Sequence, residues 1–190
     1  PEESARYATE ANRLADSLDL QAERARAVNL LGLYHYGQGR FELALEYFLT
    51  VLRVAENIAD KAALSMAYTN IGHIYTDIGL PDSAIVYYKR DLAIHQGGND
   101  VASIASAYNN IGLIQDEQGD SQGATVSFRR SLELTRQCGD SGLEGIVLNN
   151  IGDMLLNARK YGEALEHFEM AKNIATAVDD RFTLAIALHN

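Results

Sequence analysis

The sequence predicts an all-α solenoid, because three residue types recur at a fixed period of forty positions. Alanine follows each glycine of the series after twelve residues, and an aromatic residue follows one helical turn later. The glycines are Gly32, Gly72, Gly112 and Gly152; the alanines are Ala44, Ala84, Ala124 and Ala164; the aromatic residues are Phe48, Tyr88, Phe128 and Phe168. Self-similarity at a period of roughly 20 to 50 residues is typical of stacked supersecondary units. Such an array offers a partner a surface rather than a catalytic cleft.

The first half of each repeat is predicted to be a helix, as residues 61–80 show. Tyr68, Ile71 and Tyr75 recur at spacings of three and four, which is the apolar stripe of an amphipathic helix. Gly79 is expected to end this helix, because glycine adopts the left-handed conformation without a side-chain clash.

The second half of the same repeat is predicted to be another helix. Pro81 suits its first turn, where the missing N–H is not needed. Gly97 and Gly98 are expected to end it, and Asn99 or Asp100 is expected to cap the helix that follows.

Small residues are predicted at the contact between the two helices of a hairpin. Gly32 and Ala44 would let these helices approach closely, and Phe48 would fill the space toward the next hairpin.

The turn after the first helix differs in the fourth repeat, since Arg159 stands where glycine is expected. We expect Asn157 to take the left-handed turn there, or the helix to end differently.

The register divides the whole chain, residues 1–190, into a single array of repeats. Four repeats occupy residues 21–60, 61–100, 101–140 and 141–180. Residues 1–20 are predicted to be the second helix of a preceding repeat. Residues 181–190 are predicted to begin a further one, in which Asn190 aligns with Asn150. The chain is therefore expected to be a slice of a longer array.

The charge of the chain disfavours nucleic acid as a partner. Its formal net charge is -10, from 26 acidic and 16 basic side chains, and acidic surfaces repel phosphate backbones. The densest basic cluster pairs Lys89 and Arg90 with Arg129 and Arg130, and we interpret it as a solvated outer helix face in preference to an anion-binding patch. No apolar run approaches the ~18 residues of a membrane span.

The single cysteine, Cys138, excludes an internal disulfide and leaves the compartment open between the cytoplasm, which we favour, and the periplasm. Most of its repeat-equivalents are apolar, so a small buried side chain is predicted. No His-x-x-x-His pair, Cys-x-x-Cys pair or phosphate-binding glycine loop occurs. We therefore expect no enzymatic activity, no cofactor and no metal.

The arrangement of these residues resembles the tetratricopeptide repeat. Ile71, Gly72, Tyr75, Gly79, Ala84 and Tyr88 carry the resemblance best. It implies a right-handed superhelix of antiparallel helix pairs. The period of forty exceeds the usual ~34 residues, and this long variant is similar to the arrays of cell-polarity adaptors and of bacterial signalling proteins.

The resemblance also implies a protein- or peptide-binding scaffold or adaptor, part of a larger signalling or regulatory protein, whose first helices line a concave groove. Asparagine recurs on the predicted groove face, and its amide both donates and accepts hydrogen bonds. The asparagines are Asn29, Asn70, Asn109, Asn110, Asn149 and Asn150. Leu33 and Leu113 are predicted to contact the ligand beside them, with His73 and Asp153. Alternatively, the amides bridge adjacent helices and brace the stack.

The partner is expected to be a neutral or basic peptide, because acidic side chains lie on or beside the same face. These are Asp77, Asp116, Glu117 and Asp153. The alternative function is a structural spacer or a module that self-associates through the ends of the array. Neither membrane insertion nor nucleic-acid binding is expected.

Overall fold

The computed structural model describes residues 2–178 and 181–189, and within them the chain forms ten α-helices. The helices are α1 (Glu2–Ser17), α2 (Gln21–Tyr36), α3 (Phe41–Ile58), α4 (Lys61–Asp77), α5 (Pro81–Gly98), α6 (Val101–Glu117), α7 (Ser121–Cys138), α8 (Ser141–Asn157), α9 (Tyr161–Ala177) and α10 (Arg181–His189). The predicted all-α fold of consecutive helix pairs is confirmed. The predicted alignment of Asn190 lies outside the described residues.

The chain divides into two compact units, Pro1–Ile94 and His95–Asn190. In the first unit, unit 1, α2 packs on α3, and α2 also contacts α4, the first helix of the next hairpin. In the second, unit 2, α6 packs on α7 and α8 on α9, while α6 contacts α8. Each unit therefore places two first helices side by side.

The two helices of each hairpin meet where a glycine faces an aromatic ring. A Cβ atom on Gly32 would lie 2.5 Å from Cε1 of Phe48, and one on Gly112 would lie 2.7 Å from Cδ1 of Phe128. Phe48 also belongs to a buried cluster that contains Ile71 of the next hairpin. The predicted close approach at these glycines is confirmed, and the aromatic ring occupies the space that a side chain would need.

In every repeat a residue in the left-handed conformation lies two or three positions after the end of the first helix. Gly39, Gly79 and Gly119 have φ of 70°, 72° and 78°, and Arg159 has φ of 60°. The prediction that Asn157 takes this turn was wrong, because α8 extends through Asn157 and Arg159 itself adopts the conformation. A side chain there costs roughly 1–2 kcal/mol compared with glycine.

A left-handed residue also follows directly after the second helices α3, α5 and α7. In the second repeat α5 includes Gly98, and the turn is made by Asn99, with φ of 56°. Asp100 then caps α6, because its carboxylate accepts a hydrogen bond of 3.2 Å from the backbone N–H of Ser103. Hydrogen bonds from Ser103 hold the pKa of Asp100 below its usual value.

Cys138 is exposed, so the prediction that it is buried was wrong. It is the last residue of α7, where the helix leaves the core. Its thiol donates a hydrogen bond of 3.3 Å to the backbone oxygen of Thr135 instead of packing against apolar neighbours.

Candidate functional site

The candidate site is the outward side of the first helices, formed in unit 1 by α2 and α4 and in unit 2 by α6 and α8. We call it the first-helix face. The asparagines predicted to lie on it divide into two sets by burial. Asn29, Asn109 and Asn149 are only 5, 5 and 2% exposed. Asn70, Asn110 and Asn150 are partly exposed.

Two of these asparagine pairs are hydrogen-bonded between neighbouring first helices. In unit 1, Nδ2 of Asn70 donates to Oδ1 of Asn29 at 2.8 Å. In unit 2, Nδ2 of Asn150 donates to Oδ1 of Asn109, also at 2.8 Å. The partners are 41 residues apart in both units. These four amides therefore bridge adjacent helices, as the alternative interpretation of the sequence expected.

The burial of Asn29, Asn109 and Asn149 corrects their predicted placement on the exposed face. Their position turns toward the first helix of the following repeat, so a ligand does not reach them without movement of that helix. For Asn149, neither side-chain nitrogen nor oxygen has a hydrogen-bond partner among the described residues. Its counterpart at the same 41-residue offset is Asn190, which lies outside them.

A second polar contact with the same offset lies further along each pair of helices. In unit 1, burial and the neighbouring carboxylate of Asp77 raise the pKa of Tyr36 to about 12. In unit 2 the side chain of Asn157 interacts with the carboxylate of Asp116. We call the hydrogen bond between asparagines 41 residues apart on successive first helices a polar rung. Each unit therefore has one polar rung, with a second polar pair at the same offset.

The first-helix face of unit 2 carries two carboxylates whose charged forms are disfavoured. Burial raises the pKa of Asp116, and the hydrogen bond from Asn157 opposes that effect. Burial also raises the pKa of Asp153, and the negative charge of Asp116 raises it further. Two carboxylates that repel each other at a half-buried position favour a cationic neighbour, which would relieve both effects.

In unit 1 the position equivalent to Asp153 is His73. Its ring lies edge-on to Tyr88, with centroids 5.8 Å apart. Burial lowers its pKa, while the charge of Asp77 acts in the opposite direction. The imidazole is therefore neutral near pH 7 and presents an uncharged polar group. No group of three or more His, Cys, Asp or Glu in residues 2–178 and 181–189 is placed to hold a metal ion.

Leucines provide apolar surface on the same face. Leu33 is 42% exposed in unit 1, and Leu113 is 37% exposed in unit 2. Leu30 and Leu156 are exposed as well. Sequence reasoning did not name Leu30 on this face, although it is the repeat-equivalent of Asn70 and the register could have indicated it. Whether any of these side chains binds a ligand stays a prediction.

Three models of the tetratricopeptide repeat match this chain, at residues 23–97, 105–138 and 147–178. The chain belongs to the tetratricopeptide repeat family. The predicted family is thereby confirmed, and repeats of this family generally mediate interactions between proteins. Within the described residues of this array, no helix is long and apolar enough to cross a membrane.

Solved structures with the same fold cover nearly the whole array. BtubC (BKLC) from P. vanneervenii is 20% identical with a TM-score of 0.78, and the match covers 98% of this chain and 80% of BtubC. A Rap protein complexed with Competence and Sporulation Factor is 17% identical with a TM-score of 0.69, covering 97% and 56% of the two chains. These identities show a shared fold alone.

A signal transduction ATPase from Pyrococcus horikoshii, of the class with numerous domains and a tetratricopeptide repeat sensor, is also similar. It is 24% identical with a TM-score of 0.72, and the match covers 89% of this chain and 26% of the ATPase. The array thus spans about a quarter of that protein and about half of the Rap protein. No curated protein sequence matches this chain significantly.

Proposed function

We propose that this chain is a non-catalytic protein-binding module of a larger signalling or regulatory protein, and that its first-helix faces bind a neutral or basic peptide segment. One observation carries the proposal: exposed Leu113 lies one helical turn from Asp116, whose carboxylate is coupled to that of Asp153. An apolar contact beside two half-buried carboxylates suits an aliphatic residue next to a lysine or arginine.

The residues proposed to contact the ligand are those of the predicted set that remain accessible. In unit 1 they are Leu33, Asn70 and His73; in unit 2 they are Asn110, Leu113, Asn150 and Asp153. Asn70 and Asn150 each use one amide donor in a polar rung, and their amide carbonyls remain available to accept a hydrogen bond from a peptide N–H. The buried Asn29, Asn109 and Asn149 would hold the first-helix face in place without contacting the ligand.

The Rap protein supports the proposal, since it was solved in a complex with Competence and Sporulation Factor. The neutral imidazole of His73 and the leucines give unit 1 an uncharged face, whereas the carboxylates give unit 2 an acidic one. We therefore propose that the basic part of the ligand lies on unit 2.

The test is selection from a random peptide library, followed by titration of the selected peptides by fluorescence anisotropy. Enrichment of lysine or arginine next to an aliphatic residue is expected. Leu113→Ser and Asp153→Asn should each weaken binding roughly tenfold, as expected for residues that contact the ligand. Leu165→Ser is the matched control, because Leu165 is also an exposed leucine but lies on the second helix α9.

Two results would contradict the proposal. The first is a set of selected peptides that is acidic; the second is an equal loss of affinity in the Leu165→Ser control. Sedimentation at several protein concentrations distinguishes peptide binding from the alternative function, a self-associating spacer. A spacer of this kind would show a molecular mass that rises with protein concentration in the absence of any peptide.

A further inference from the structure

A cavity of about 340 Å³ lies in unit 2 between α7, α8 and α9. It uses none of the residues proposed to contact a peptide. Its floor is apolar and includes Leu132, Ile151 and Met154, and its rim carries the polar groups of Arg129, Lys160 and His167. Ligand sites in proteins are mostly apolar concavities of roughly 300–1,000 Å³ with a few polar groups, and this cavity has both properties.

The cavity lies where unit 1 has two aromatic side chains. In unit 1 the equivalent space holds Tyr75 and Tyr87, whose rings stack with centroids 5.5 Å apart. Eighty residues later the chain has Leu155 and His167 at these positions. Both are smaller than tyrosine, and both line the cavity.

The two cations occur together only at this junction between hairpins. The equivalent pair is Leu49 and Leu80 between the first and second repeats, and Lys89 and Asp120 between the second and third. Nζ of Lys160 lies 3.5 Å from Oε1 of Glu163 and is partly neutralised. Within residues 2–178 and 181–189, Arg129 has no carboxylate at ion-pair distance, although it lines the cavity.

The balance of charge at the rim favours an anion. Arg129 and Lys160 contribute two positive charges and Glu163 one negative charge, in a chain whose formal net charge is -10. Nδ1 of the neighbouring His167 lies 2.8 Å from the backbone oxygen of Glu163. Arg129 is therefore the group with a free charge-assisted hydrogen-bonding capacity.

We propose that this cavity binds a small molecule with an apolar body and a single anionic head, such as an alkyl or aryl carboxylate. The head pairs with the guanidinium of Arg129, and the body lies on Leu132, Ile151 and Met154. This site is separate from the first-helix face, so it accepts an anion while the peptide-binding face of the same unit favours a cation.

The test is isothermal titration of the whole chain with octanoate, 1-octanol and octylammonium, which share one apolar body and differ in the head. Octanoate is expected to bind at least roughly tenfold more tightly than octanol, the gain of a charge-assisted hydrogen bond. Octylammonium is expected to bind most weakly. Arg129→Leu should reduce the affinity for octanoate to that for octanol. Arg130→Leu is the matched control, since Arg130 lies on the same helix, pairs with Glu133 and does not line the cavity.

A second variant tests the volume rather than the charge. His167→Tyr restores the residue of unit 1, and it should abolish the octanoate-induced shifts of the Leu132 and Ile151 methyl signals in NMR spectra. Absence of octanoate binding, equal affinities for octanoate and octanol, or unchanged binding in Arg129→Leu would each overturn the proposal. Methyl shifts at Leu132 and Ile151 caused only by peptides would overturn it too, because they would assign the cavity to a protein partner.

Discussion

The two units have the same arrangement of helix pairs, but different side chains fill their interiors. Unit 1 fills the space between successive hairpins with aromatic rings: Tyr87 contacts both Tyr68 and Tyr75, and Arg90 lies 5.4 Å above the Tyr87 ring. Unit 2 has aliphatic and polar side chains at the equivalent places and keeps a cavity. Positions that repeat strictly hold the hairpins together, while positions that vary give each unit the distinct surface on which the two binding proposals rest.

The largest effect is expected at a feature that both units share. Gly72→Ala and Gly112→Ala each place a Cβ atom against an aromatic ring, at 2.5 Å from Tyr88 Cε1 and 2.7 Å from Phe128 Cδ1. We expect each to lower the free energy of unfolding by about 2 kcal/mol, measured by urea denaturation, because the ring has to move within a packed core. Gly162→Ala is the control; its Cβ meets open space, and alanine there should stabilise α9 by about 0.5–1 kcal/mol. A neutral effect at Gly72 or Gly112 would show that the rings adapt freely.

The next prediction exchanges one residue between the units. Tyr87→His gives unit 1 the residue of unit 2 and removes stacking on Tyr75, so we expect a loss of about 1–2 kcal/mol in the free energy of unfolding. His167→Tyr makes the reverse change and should leave stability unchanged or raise it by up to about 1 kcal/mol, because the added ring buries apolar surface in an existing cavity. Equal losses in both directions would mean that the cavity is not available to the ring.

The polar rungs allow a matched test between units. Asn109→Ala leaves the amide of Asn150 without its partner, and Asn29→Ala does the same to Asn70. Each should cost about 1 kcal/mol. Double-mutant cycles with Asn150→Ala and Asn70→Ala should give coupling energies of about 0.5–1.5 kcal/mol, measured by urea denaturation. A coupling energy near zero in one unit only would show that its rung does not stabilise the fold.

The smallest effect concerns pH, and its sign differs between the units. The folded-state pKa of His73 is below its ordinary 6.5, so the stability linked to the neutral ring is present above that pH and is lost as the pH falls. The pKa of Asp153 is above its ordinary 3.8, so its charged form destabilises the fold at pH 7 and this cost is relieved on acidification. Wild type should therefore lose stability relative to His73→Gln between pH 7 and 5, and gain stability relative to Asp153→Asn as the pH falls from 7 to 4, measured by urea denaturation across this range. The same sign for both variants would contradict these assignments.

The strictly periodic features of the fold could be predicted from the sequence, because the same contact recurs in every repeat. The glycine of each first helix and the aromatic residue of the second helix in the same repeat predict that the two helices pack as a hairpin. Gly79 also correctly predicts the end of α4. Arg159 shows the limit of this reasoning. Arginine is unfavourable in the left-handed conformation, yet Arg159 adopts it in the turn between α8 and α9.

The candidate site was predicted only in part. Asn109 and Asn110 are adjacent in sequence, and which of the two faces a neighbouring helix depends on how successive first helices are rotated, a quantity that the apolar stripe does not determine. The cavity beside Arg129 was not foreseen at all. It results from the combination of Leu155, His167 and the helices that frame them, and no single one of these residues departs conspicuously from the pattern.

The polar rungs have a consequence for the order of the repeats. The hydrogen-bonded asparagines are 41 residues apart, whereas the repeat period is forty. Asn29 and Asn109 therefore each pair with the residue that follows their own equivalent in the next repeat. The first and third repeats are therefore each matched to their successor by one hydrogen bond, and replacing the successor changes the partner of a buried amide. If the first repeat were moved to follow the third, Leu30 would stand opposite Asn109 and leave that buried amide without a donor. These two hydrogen bonds therefore constrain which repeat can follow the first and which can follow the third.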